Sequence, residues 1–199
     1  MKIHKVLTDA IELACKEILE NNSHASFVIA QTISKDKRFG SRDRRFMAET
    51  ISFVLKNYRL LSFLTKQNWE EPKQFSPIVA CAIWLENNEL PKFYSSTILT
   101  DEIAELQSKK KSVSVDFSFP DWMNDLLEKD LGSKKWELEA KHSLDKAFTF
   151  LRVNTQKSTL EKCVAFFETA GISHEIVKEV NNCLVLLQRV DITKSEDAL

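Results

Sequence analysis

Apolar positions Ile3, Val6, Leu7, Ala10, Ala14 and Ile18 recur at helical steps among charged neighbours, which predicts an amphipathic helix at the start of the chain. Asn21 and Asn22 end it, and Ser23 is placed to cap a second helix running to about Ser34. The longest periodic segment is RDRRFMAETISFVLKNYRLLSFLTKQ, residues 42–67, with Met47, Ile51, Val54, Leu55 and Tyr58 on one face. Ser41 can cap it, and Asp43 falls in its first turn, where a carboxylate favours the helix dipole. Ser76-Pro77 is a further start signal, and IVACAIWL at 78–85 is apolar almost all round, as the central helix of a bundle would be. Leu90-Pro91 closes that helix, and Asp101 to Gln107 predicts one short helix more. Residues 1–107 therefore read as an all-α bundle of about five helices.

The pattern then changes. SKKKSVSVD at 108–116 is polar and small, and residues 108–118 read as a linker. Pro120 opens a helix carrying Trp122, Met123, Leu126 and Leu127 that Gly132 can terminate, and a further helix covers about 134–144. Phe148, Phe150, Leu151 and Val153 predict a strand. Ser158 and Glu161 have the spacing of a capping box ahead of a helix over 159–170, which Gly171 ends. HEIVKEV and CLVLLQ read as two strands turning over Asn181-Asn182. The fold class is mainly α, a helical bundle followed by a small α+β domain of order β-α-β-β over 119–199.

Composition removes several function classes. The 199 residues contain only 3 glycines, Gly40, Gly132 and Gly171, with none close to another. Dinucleotide and nucleotide sites rely on glycine-rich turns for close backbone approach, so a Rossmann-type cofactor site is not expected within this chain. Cys15, Cys81, Cys163 and Cys183 form no C-x-x-C pair, and His4, His24, His142 and His174 are dispersed. Neither a metal centre nor a nucleophile motif is expected, so no catalytic or metal-ligating residue is assigned. The opening helix lacks the continuous apolar core of a signal peptide, and the apolar run at 78–85 is far short of the roughly 20 residues that span a bilayer. These features predict a cytoplasmic protein with no membrane partner.

Net charge is −1, but its distribution is uneven. From Lys35 to Lys66 there are nine basic and three acidic residues, whereas residues 67–199 carry 16 basic and 22 acidic. Opposite the apolar face of the long helix, Arg42, Arg45, Glu49, Ser52, Lys56 and Arg59 follow a three-four spacing, and Lys37 and Arg38 extend the surface. Such a stripe can follow a phosphate backbone, with arginine forks gripping phosphate in bidentate fashion. It is more commonly the pattern of a solvated helix face with ion pairs. Arg44 lies nearer the apolar side and reads as a buried structural ion-pair partner, and Asp43 as a cap or salt-bridge group.

FPDWMNDLLEKDLG followed by FLRVNTQKSTLEKCVAFFETAGI resembles the RsmB/Sun family of RNA cytosine-C5 methyltransferases. The features that carry the resemblance are Pro120 and Trp122, the strand Leu151-Arg152-Val153-Asn154, and a helix beginning near Thr159. SRDRRFMAETISFVLKNYRLLSFL also looks like the central helix of the NusB-like RNA-binding domain that precedes this region in the family. The resemblance implies a NusB-like bundle that binds structured, ribosomal RNA through Lys37, Arg38, Arg42, Arg45, Lys56 and Arg59. It implies that the small domain adds Arg152, Asn154 and Lys157, each of which also has a local structural reading. Family members continue into a domain that binds S-adenosylmethionine and attacks cytosine with cysteines in Pro-Cys and Thr-Cys contexts. Here the cysteines read LACKE, VACAI, EKCVA and NNCLV, so the cofactor is expected in a full-length parent and none in this chain. The open alternatives are a stand-alone adaptor without enzymatic activity, and a bundle whose basic face docks its own catalytic domain.

Overall fold

A computed structural model describes residues 3–98, 100–145, 147–188 and 190. The described chain has ten α-helices and a three-stranded antiparallel sheet, and it separates into two compact units, Met1–Leu144 and Asp145–Leu199.

In the first unit, α1 (Lys5–Glu20), α2 (Ala25–Ser34), α3 (Ser41–Lys56), α4 (Tyr58–Leu64) and α5 (Ser76–Asn87) share one core. Leu7, Ile11, Met47, Ile51, Val54 and Leu61 are fully buried, and every residue from Ile78 to Ile83 is inaccessible, so α5 is the central helix that its unbroken apolar run predicts. Phe46, Phe53 and Leu60 pack half-buried against the same core. A 3₁₀ turn at Lys92–Tyr94 seats the buried ring of Tyr94, whose hydroxyl donates to Glu12. After it come α6 (Thr100–Ser108) and the short α7 (Val113–Asp116), which lies in the segment read as linker.

The caps differ in detail from those predicted. Ser23 donates to Glu17 instead of capping α2, and α3 begins after Gly40, whose N–H donates to the Asp43 carboxylate. The long helix breaks at Asn57, where φ −115° and ψ 22° leave the helical region, so α3 and α4 are separate elements.

The helices α8 (Asp121–Leu131) and α9 (Ser133–Ser143) meet at Gly132, whose φ of +79° only glycine adopts freely. Trp136 closes this hairpin, with its Nε1 donating to Asn124 at 2.9 Å and its ring edge-on to Phe119. Contacts group the hairpin with the bundle, so the division by contacts falls after Leu144.

The second unit has the order β1 (Thr149–Arg152), α10 (Leu160–Thr169), β2 (His174–Ile176), β3 (Cys183–Leu186). β3 lies between the other two, antiparallel to both, and Asn182 takes the left-handed φ of 56° at the predicted turn. Val153, Phe167, Leu184 and Leu186 form its small core. Thr159, not Ser158, caps α10, its hydroxyl accepting from the Lys162 N–H at 3.4 Å. Replacing Thr159 by alanine is expected to cost about 1 kcal/mol, the usual loss for a cap. A urea titration that follows the second unit checks this, with serine at the position retaining most of the stability.

Candidate nucleic-acid interface

The core side of α3 fixes what its outer side can present. With Met47, Ile51 and Val54 inaccessible, Arg42, Arg45, Glu49 and Lys56 are turned outward and are all exposed. From Arg42 to Lys56 the helix rises about 21 Å, enough to face several phosphates of one strand. Arg42, Lys56 and Lys37 make no ion pair among the described residues. Arg45 lies 2.9 Å from Glu49 one turn on, an exposed pair that a phosphate can displace at small cost.

Arg38 is engaged more firmly. Its Nε and Nη2 both donate to Asp36, which also accepts from the Arg38 backbone N–H. These hydrogen bonds pull the Asp36 pKa down to about 2. Arg44 is exposed, contrary to the buried role expected from its position, and adds positive charge off the line of the stripe. There is also acidic character nearby: burial, then the neighbouring Glu49, raises the pKa of Glu86 on α5.

Arg59 is not part of this surface. The break at Asn57 starts a new helix, and Arg59 is only 9% exposed. Its Nη1 lies 2.9 Å from Asp121 Oδ1, its Nη2 donates to Oδ2 at 3.0 Å, and Nη1 also donates to the Phe119 carbonyl. The guanidinium carbon sits 4.3 Å from the centre of the Trp69 ring, an ordinary cation–π distance. Its Nε has no hydrogen-bond partner. Arg59 therefore fastens the start of α8 to α4, and no donor pair is left to face a phosphate. Sequence spacing missed this because it assumed an unbroken helix. The signal was local: Tyr58, Leu60, Leu61, Phe63 and Leu64 surround Arg59 with apolar neighbours, which leaves it no polar face.

In the second unit, Arg152 and Lys157 are exposed, and Asn154 has a structural task. The Asn154 side chain accepts from the Gln156 N–H, and its carbonyl accepts from Lys157 and Ser158, which shapes the turn between β1 and α10. The residues of β1 separate by parity. Leu151 faces the core with Leu184, whereas Phe150 is 61% exposed opposite Val185.

One open cavity of about 500 Å³ lies beside Tyr58 and Trp69, with Glu20, Glu70, Glu71 and Lys73 on its walls. Three carboxylates against one ammonium make it a poor seat for phosphate. Among the described residues no cluster of three or more His, Cys, Asp or Glu could hold a metal ion, and no helix is long and apolar enough to cross a membrane. Burial pushes the Cys15 thiol, also facing Glu12, and the Cys81 thiol up to about 12, so both stay protonated at neutral pH.

Residues 119–193 match a known protein family, the Methyltr_RsmF/B-like, ferredoxin-like domain. The match supports the resemblance to the N-terminal region of RsmB/Sun methyltransferases carried by Pro120, Trp122 and Leu151-Arg152-Val153-Asn154. The matched segment begins where the sequence places its second domain, one helix hairpin ahead of the division by contacts. No curated protein matches the chain.

Proposed function

We propose that this chain is the RNA-recruiting N-terminal portion of an S-adenosylmethionine-dependent ribosomal RNA cytosine-C5 methyltransferase. The observation that carries the reading is the match of residues 119–193 to a domain of RsmF/B-like methyltransferases. The exposed cations on α3 supply a surface suited to it. In this reading the first unit is a NusB-like bundle working in the cytoplasm. It meets RNA through Lys37, Arg42, Arg45 and Lys56, with Arg38 held back by Asp36 and Arg59 reserved for structure. Arg152 and Lys157 add contacts from the second unit.

The described residues do not fit S-adenosylmethionine. The three strands are antiparallel, and neither Gly132 nor Gly171 stands in a strand-to-helix turn at the head of a parallel sheet. The cavity beside Trp69 would set the methionine carboxylate against glutamates. No methyl-transfer step is assigned to these residues. The cofactor, in this reading, belongs to a catalytic domain of the parent outside the 199 residues.

The test is titration of the chain with a structured ribosomal RNA fragment at two salt concentrations. With about four phosphates neutralised, doubling salt from about 50 to about 100 mM is expected to weaken binding about tenfold. Binding that does not respond to salt, or no binding, overturns the reading. A second reading rests on the match lying outside most of the bundle: a stand-alone adaptor that binds RNA or protein without enzymatic activity. The intact mass of the native polypeptide separates the two, since a mass near 23.0 kDa fits only the adaptor.

A further inference from the structure

The second unit packs one face of its sheet on α10 and leaves much of the other accessible. Thr149, Leu151, Leu184, Leu186, His174 and Ile176 alternate with Phe150, Arg152, Val185, Glu175 and the buried Cys183 through the strand register. The first set includes the core residues that pack with Phe167 of α10. The second set forms a row in which Phe150 on β1, Val185 on β3 and Glu175 on β2 lie side by side. Phe150 is 61% exposed, and Phe148, two residues earlier in the chain, is 63% exposed. Large aromatic rings left in water at two alternate positions are unusual, because each forgoes the gain from burying its area.

The charges around these rings are ordered. Arg152 follows Phe150 by one alternation on the same strand, and Lys157 stands exposed in the turn beyond it. The one carboxylate of the row, Glu175, lies on β2 at the opposite edge of the sheet. A polyanion with flat apolar groups is favoured along β1 and disfavoured along β2. Phe148 precedes β1, so the strand register places Phe150 alone of the two on this face, where its ring can take a base that has been splayed out.

We infer that this face of the sheet binds unpaired RNA, with a base stacking on Phe150 and the backbone held by Arg152 and Lys157. This rests on the RNA-binding reading above and adds that the second unit takes single-stranded nucleotides while the α3 surface takes structured RNA.

The experiment is fluorescence anisotropy on the full chain with two probes, a short mixed uridine–adenosine single strand and a fully paired hairpin. Phe150→Ala is expected to weaken single-strand binding about fivefold or more and to change hairpin binding less than about twofold. Phe150→Tyr, which keeps the ring, is expected to bind as the parent does. Unaltered melting of both variants excludes loss of fold. Equal single-strand binding by the parent and Phe150→Ala would overturn the inference, and the RNA reading would stand if replacing Arg42, Arg45 and Lys56 by glutamine still weakened the hairpin. A parent that binds neither probe would overturn both. Altered sedimentation of Phe150→Ala with unaltered RNA affinity would make the face a protein contact and also overturn the inference.

Discussion

Replacing Arg59 by methionine is expected to lower the stability of the first unit by about 3 kcal/mol, although the substitution fills similar volume with an apolar chain. The figure follows from what is lost. The guanidinium makes one hydrogen bond to the Asp121 carboxylate, an ion-pair contact with its other oxygen and one hydrogen bond to the Phe119 carbonyl, and it lies over Trp69. Hydrogen bonds to charged groups contribute about 1.5–3 kcal/mol, and a desolvated cation–π contact about 2 kcal/mol. The side chain of Asp121 is 63% exposed, so part of the pairing is screened and the sum is discounted accordingly. For a protein of this size the loss corresponds to a fall in Tm of about 6–12 °C. Lysine should recover little, since its point charge cannot serve carboxylate and carbonyl in the same fork. Acid should erode the same contact. The hydrogen bonds from Arg59 hold the Asp121 pKa below its ordinary value. A depressed carboxylate stabilises the fold above its unfolded pKa and loses that contribution as pH falls through the folded one. The gap between parent and Arg59→Met should therefore narrow below about pH 4. Calorimetry at neutral and acid pH measures both effects, and a methionine variant as stable as the parent at neutral pH would remove Arg59 from its structural role.

The residues that were legible in the sequence are those whose neighbours in the chain determine their environment. Met47, Ile51 and Val54 repeat at helical spacing and are buried, and 78–83 is apolar on every side and is inaccessible. Asn182 and Gly132 take the positive φ that their residue types tolerate. Arg59 and Ser23 were misread because periodicity does not see their partners. Arg59 meets Asp121, 62 positions away. Ser23 finds Glu17 in the preceding helix before it can cap the next one, and Asn154 takes the local, turn-shaping role that stood open beside an RNA contact. The exposed Phe150 was hidden for a different reason. A strand so short reads as simply apolar, and only the pairing of Phe150 with Val185 and of Leu151 with Leu184 assigns the faces.

Arg42, Arg45 and Lys56 carry the second large effect. Replacing all three by glutamine is expected to weaken binding of structured RNA on the order of 50-fold near 0.1 M salt. Each released phosphate contact contributes about sixfold at that salt, and Arg45 contributes less because it must first leave Glu49. The slope of log affinity against log salt should fall by about 2 to 3, whereas a change that merely disturbs the fold would leave no such signature. All three side chains are exposed, so melting should stay within about 1 kcal/mol of the parent. Glu49→Gln is the control of opposite sign. It removes a carboxylate from the middle of the stripe and frees Arg45, so binding should tighten a fewfold. Arg59→Met, measured well below its own melting temperature, should bind as the parent does, because its charge is turned inward to Asp121. If the triple variant binds RNA with unchanged affinity and slope, the outer side of α3 is a solvated helix face. The cations of that helix would then serve solubility alone, and RNA recruitment would have to be sought on the sheet of the second unit.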